Sequence, residues 1–127
     1  MLVNELIAGT VVSCGVDTSV VQAARTMVDN ETGSLAVLDD GDLVGIFTER
    51  DLIAFVGNGG DPQGGRVGDV MTPNPDSLEP DVEVFAAADW MLAAGYRHLP
   101  VVDGERLVGM LSIKDVLWGV TEGRRSA

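Results

Sequence analysis

The chain has 127 residues, 46% of them apolar, which sets the scale of one compact domain with a real core. Twenty acidic residues against eight basic ones give a formal charge of −12, the reverse of the basic stripe expected of a nucleic-acid binder. No apolar run reaches the length of a membrane span, and Met1–Glu5 lacks the basic start and apolar core of a signal peptide. One cysteine, Cys14, and one histidine, His98, leave no internal disulfide and no cysteine- or histidine-pair metal motif.

In chain order, Asn4–Ile7 reads as a short lead-in helix broken at Gly9-Thr10, and Val11–Cys14 as a strand. Ser19 with Gln22 has the spacing of a capping box. Val20, Val21, Ala23, Ala24, Met27 and Val28 then follow as the apolar face of a helix that ends at Gly33. Ser34–Leu38 and Leu43–Phe47 read as two strands joined by the Asp39-Asp40-Gly41-Asp42 turn, where Asp-Gly tolerates positive φ. Gly57–Gly65 is breaker-rich and reads as a linker; it lacks the Gly-Lys-Ser/Thr ending of a phosphate-binding loop.

The pattern then starts again. Gly68–Met71 matches the lead-in, and Pro73 and Pro75 break it. A helix beginning at Asp81 carries Val84, Phe85, Ala87, Ala88, Met91 and Leu92. Arg97–Val102 is a strand, Asp103-Gly104 a turn, and Leu107–Leu111 the return strand. Residues 3–56 align with 67–120 without a gap, so the chain is an internal repeat. The expected organisation is repeat 1 at 1–60, a glycine-rich linker at 61–66, repeat 2 at 67–120 and a frayed tail at 121–127 that holds a solvated Arg124-Arg125. One copy of about 55 residues is marginal alone. The expected fold is therefore mixed α/β (α+β), two β-α-β-β-α repeats packed sheet to sheet with pseudo-twofold symmetry and two related clefts. Phe55, Trp90 and Trp118 fall on helices and are expected in core packing rather than on a partner face.

The most informative stretch occurs twice, as Gly45-Ile46-Phe47-Thr48-Glu49-Arg50-Asp51 and as Gly109-Met110-Leu111-Ser112-Ile113-Lys114-Asp115. In each, a hydroxyl sits where a strand turns into a helix, with an aspartate three residues on. The plain reading is a helix cap. The functional reading uses the same geometry: free N–H groups and partial positive charge at a helix start suit phosphate. An aspartate in the first turn can accept from a ribose diol.

These residues, with Gly68-Asp69-Val70-Met71-Thr72-Pro73, Arg97-His98-Leu99-Pro100-Val101-Val102-Asp103 and Leu107-Val108-Gly109-Met110-Leu111-Ser112, resemble a tandem cystathionine β-synthase (CBS) domain pair, or Bateman module, over roughly residues 3 to 120. The resemblance implies binding of AMP, ADP, ATP or S-adenosylmethionine in clefts between the repeats, and a homodimer forming a disc of four repeats. It places Asp51 and Asp115 on the ribose and Thr48 and Ser112 at the ribose-phosphate end. Arg97 and His98 take the position where basic residues meet phosphate, where the first copy has Gly33 and Ser34. Arg50 and Lys114 are further phosphate candidates, and Thr10, Val11, Val12, Asn74, Pro75 and Asp76 lie on the adenine side, where backbone groups do the reading.

Three functions follow from this reading. One is a regulatory sensor of an adenine nucleotide or S-adenosylmethionine that signals to an unknown protein partner. A second is a dimerising scaffold whose clefts are vestigial. The third, an enzyme, is disfavoured because lone His98 and lone Cys14 on different repeats make no nucleophile–base pair. No required cofactor, metal, nucleic acid or membrane is expected, and the thiol count fits a reducing cytoplasm. Acid excess with Lys114 as the one lysine resembles the proteins of halophiles.

Overall fold

The computed structural model describes residues 1–7 and 10–126, with side chains described through residue 122. Gly9 and Ala127 lie outside the described residues, as do the side chains of Arg124 and Arg125. The chain forms two compact units, Val12–Pro75 and Met1–Val11 with Asp76–Ala127. The units are offset from the sequence repeats. Each takes its lead-in segment from the other copy, because the lead-ins hydrogen-bond to the neighbouring copy's elements.

In the Val12–Pro75 unit, β1 (Ser13–Gly15) pairs parallel with β2 (Ser34–Asp39). Antiparallel β3 (Asp42–Thr48) follows β2, and β4 (Thr72–Pro73) closes the sheet in the order β1-β2-β3-β4. The hairpin turn is as expected, with Asp40 and Gly41 at φ +54° and +85°. Helix α1 (Val20–Asp29) starts at Ser19, whose hydroxyl accepts from Gln22 N–H. It stops at Asn30 rather than Gly33, because the Asn30 amide donates to the Thr26 carbonyl and Glu31 turns to φ +51°. Helix α2 (Glu49–Gly57) and the short α3 (Val67–Val70) complete the unit. Val20, Ala23, Met27, Leu35, Val37, Phe47 and Val67 form its core, and Phe55 packs against it. Truncating Phe47 in that core would cost about 3–5 kcal/mol.

The other unit pairs β5 (His98–Asp103) with β6 (Arg106–Ser112), and Leu78 bridges to Val101 where β1 bridges to β2 in the first unit. The same register shift interrupts both hairpins, between Val37 and Leu38 and between Val101 and Val102. Helix α4 (Val84–Ala94) begins after Glu83, not at Asp81. The Val3 N–H donates to Val82 O and the Val84 N–H to Met1 O, which holds 82–83 extended beside the N-terminal segment. Gly95, at φ +75°, ends the helix in the left-handed conformation. Helix α5 (Ile113–Ser126) runs on where a frayed tail was expected after residue 120. Val120 packs on the core and the Thr121 hydroxyl donates to the Leu117 carbonyl. Val3, Leu78, Val84, Ala87, Met91, Leu99, Val101, Leu111 and Val116 make this core, with Trp90 against it.

The apolar helix faces are narrower than the sequence suggests. Val28 and Leu92 are 75% and 73% exposed, and Val21 and Phe85 are also exposed. Trp118, expected in the core, is 56% exposed.

Candidate functional site

Both hydroxyl–aspartate pairs close at the junction of a strand and a helix. In the Val12–Pro75 unit, the Thr48 hydroxyl accepts from Asp51 N–H at 3.2 Å. Asp51 Oδ2 accepts from Thr48 N–H at 2.9 Å and from the Thr48 hydroxyl at 3.1 Å. In the other unit, Ser112 Oγ accepts from Asp115 N–H at 3.1 Å. Asp115 Oδ2 accepts from Ser112 N–H at 3.1 Å and from Ser112 Oγ at 2.8 Å. All four residues are half-buried. The capping reading therefore holds in both copies. It commits Oδ2 of each aspartate, and Oδ1 takes no part in the cap.

The glycine that opens each stretch has a steric cause. A Cβ on Gly45 would lie 2.5 Å from Met71 Sδ and 2.8 Å from the Thr72 carbonyl oxygen; one on Gly109 would lie 2.5 Å from Ile7 Cδ1. Only a bare backbone lets the exchanged lead-in pass at this distance.

That lead-in brings a residue to the first clamp that sequence reasoning missed. The Thr72 hydroxyl donates to Asp51 Oδ1 at 3.2 Å. The repeat register was the available signal: Thr72 corresponds to Ala8, which has no hydroxyl. Asn74, at φ +46°, donates its N–H to Val44 O, so it lies beside β3 in the same unit as Thr48, exposed Arg50 and Asp51. An open groove of about 420 Å³ adjoins Asp51 and is lined by Ala54, Phe55, Asn58, Gly60 and Val70.

In the other unit His98 pairs with Ser112 across β5–β6, and Ile113 N–H donates to the Arg97 carbonyl at 2.8 Å. Arg97, His98, Ser112, Lys114 and Asp115 thus share one end of this unit, Arg97 and Lys114 exposed and His98 half-buried. The six adenine-side positions fall where the chain passes between units: Thr10 and Val11 belong to one and Val12 to the other, as do Asp76 against Asn74 and Pro75. The Asp76 carboxylate accepts the Tyr96 hydroxyl and raises the phenol's pKa. Burial pushes the Cys14 thiol up to about 11, which keeps it protonated and unreactive near neutrality. Among the described residues no cluster of three or more His, Cys, Asp or Glu is placed to hold a metal ion. No helix among them is long and apolar enough to cross a membrane.

A sequence profile of the CBS domain matches residues 3–58 and again 67–121. The chain belongs to the CBS domain family, and its mixed α/β fold is that of the solved CBS-pair proteins. It is similar to the crystal structure of the CBS-domain protein ATU1752 from Agrobacterium tumefaciens, with 34% identity, a TM-score of 0.87 and coverage of 94% of this chain and 99% of that one. It is also similar to CBSX2 from Arabidopsis thaliana, solved in complex with AMP, with 29% identity, a TM-score of 0.83 and coverage of 97% and 98%. Among curated sequences it is 32% identical over 118 residues to the mitochondrial CBS domain-containing protein CBSX3 of Arabidopsis thaliana. That alignment covers 88% of this chain and 57% of the relative, so the chain spans less than two thirds of that relative's length.

Proposed function

We propose that the chain is a regulatory module, not an enzyme, that binds an adenosine-containing ligand and passes the bound state to a protein partner. The ligand class is AMP, ADP, ATP or S-adenosylmethionine. The observation that carries this reading is the same hydroxyl–carboxylate box at a helix start in both units. The AMP complex of CBSX2 supports the ligand class. On this reading Asp51 and Asp115 accept from the ribose hydroxyls, and Thr48 and Ser112 meet the ribose-phosphate end. Arg97 and His98, with Lys114, approach phosphate in one unit, and Arg50 is the corresponding base at the other clamp. Backbone groups of Thr10–Val12 and Asn74–Asp76 read the adenine.

Thermal unfolding with millimolar AMP, ADP, ATP or S-adenosylmethionine tests it. A ligand present at 100 times its Kd adds about 2.7 kcal/mol. An Asp51→Ala, Asp115→Ala double variant should lose that gain, since each charged hydrogen bond is worth about 1.5–3 kcal/mol. An unchanged gain in the double variant would remove both aspartates from the site.

The helix faces support self-association as well, whether or not the clamps are filled. The exposed apolar positions repeat between the copies: Val21 with Phe85, Val28 with Leu92 and Ile53 with Leu117. Apolar positions kept exposed in both copies suit a homodimer through the paired helices.

A further inference from the structure

We infer that the two clamps differ in the ligand charge they select: Ser112/Asp115 takes the phosphorylated adenosine, and Thr48/Asp51 takes an adenosine without phosphate, with Glu49 as the selecting residue. This rests on the adenosine reading above. The backbone beside each clamp is the same. Glu49 N–H donates to the Gly33 carbonyl at 3.0 Å, and Ile113 N–H donates to the Arg97 carbonyl at 2.8 Å. The side chains there are reversed in charge. In one unit the Glu49 carboxylate folds over Gly33, where a Cβ would lie 3.1 Å from it. In the other, Arg97 stands at the position of Gly33 and Ile113 at that of Glu49. Each helix start also carries one exposed base, Arg50 in one unit and Lys114 in the other. An arriving phosphate thus meets Arg50 offset by the Glu49 carboxylate at the first helix start, and Lys114 reinforced by the Arg97 guanidinium at the second.

A second observation marks the first clamp as a ligand site. Ser34 is 3% exposed and its Oγ has no hydrogen-bond partner among the described residues. Ser34 pairs directly with Thr48, so the two side chains share a sheet face, opposite the core face of Leu35 and Phe47. A buried unpaired hydroxyl is costly, and here it stands beside the capping hydroxyl, where a ligand oxygen would satisfy it. Asp51 and Asp115 carry the same charge, so the difference between the clamps lies in Glu49 and Arg97. The Glu49 carboxylate favours an uncharged or cationic nucleoside at the first clamp.

The test uses inorganic phosphate as a probe, with backbone amide NMR at the lowest salt that keeps the chain folded, because screening shortens to about 3 Å at 1 M. In the wild type, phosphate should move the amides of Ile113 and Lys114 and leave those of Glu49 and Arg50. Glu49→Gln, which keeps the side chain's size, should gain a response at residues 49 and 50 with phosphate held about tenfold tighter. Arg97→Gln should lose about tenfold at 113 and 114. Equal responses at both helix starts in the wild type, or no gain in Glu49→Gln, would overturn the selection. Calorimetry with adenosine and AMP on the same variants separates this result from the adenosine reading. Asymmetric phosphate responses without nucleoside binding would leave charge selection standing and remove the adenosine reading. Binding of adenosine and AMP equally well at each clamp would do the reverse.

Discussion

The Thr48/Asp51 and Ser112/Asp115 clamps share a backbone and a capping geometry, yet their surroundings differ at nearly every neighbouring side chain. Thr72 stands on Asp51, while its counterpart in the repeat is Ala8. Glu49 and Gly33 flank one clamp, Ile113 and Arg97 the other. A repeat preserves what each unit needs to close its hairpin and start its helix. The positions around that frame carry no such constraint and are free to diverge in charge. The family resemblance therefore speaks for the frame, and ligand choice has to be argued separately for each unit.

The comparison can be broken most forcefully at the helix faces. A buried interfacial aromatic is commonly worth 2 kcal/mol or more, so Trp118→Glu should weaken a homodimer by roughly thirtyfold or more. Ile53→Glu asks the same of the other unit. Sedimentation equilibrium would show whether one face or both carry the contact; two variants that keep the wild-type mass would sink the helix-face dimer.

A smaller difference is expected at the paired glycines. Overpacking costs typically about 1–3 kcal/mol. Gly45→Ala should lie at the upper end, because the new methyl meets the Thr72 backbone carbonyl at 2.8 Å, whereas the nearest atoms at Gly109→Ala belong to the Ile7 side chain. Urea unfolding measures both, and equal losses would mean that the two lead-ins yield alike.

The smallest effect concerns Cys14, which holds the repeat position of Leu78. Its thiol is raised from 9.0 to about 11 by burial. Below pH 9 folded and unfolded chains both keep the proton. Above it the unfolded chain loses the proton first, so stability should fall as pH rises from 9 toward 11. The loss should stay below about 1 kcal/mol, since the site is only partly buried. Cys14→Ala should flatten that part of the pH profile, and an identical slope in the variant would assign the fall to other groups.

Much of the local structure was legible from the chain alone. Asp40-Gly41 turned as its chemistry requires, and Ser19, Thr48 and Ser112 closed their caps, because these bonds span three or four residues. The strands and helices themselves followed the apolar period. What lay beyond reading came from partners distant in sequence. The start of α4 is set by Met1 and Val3, some eighty residues away, and α5 continues because Val120 has a core to meet.

The sequence by itself determined the repeat, the mixed α/β class and the two hydroxyl–aspartate frames, all of which depend on periodicity and short-range bonding. Only the tertiary structure decided that each unit borrows the other copy's lead-in, that Thr72 reaches Asp51, that Glu49 folds over Gly33 and that Trp118 faces outward. Those outcomes depend on which backbones pass within a few ångströms of each other, and no local pattern of residues encodes that proximity.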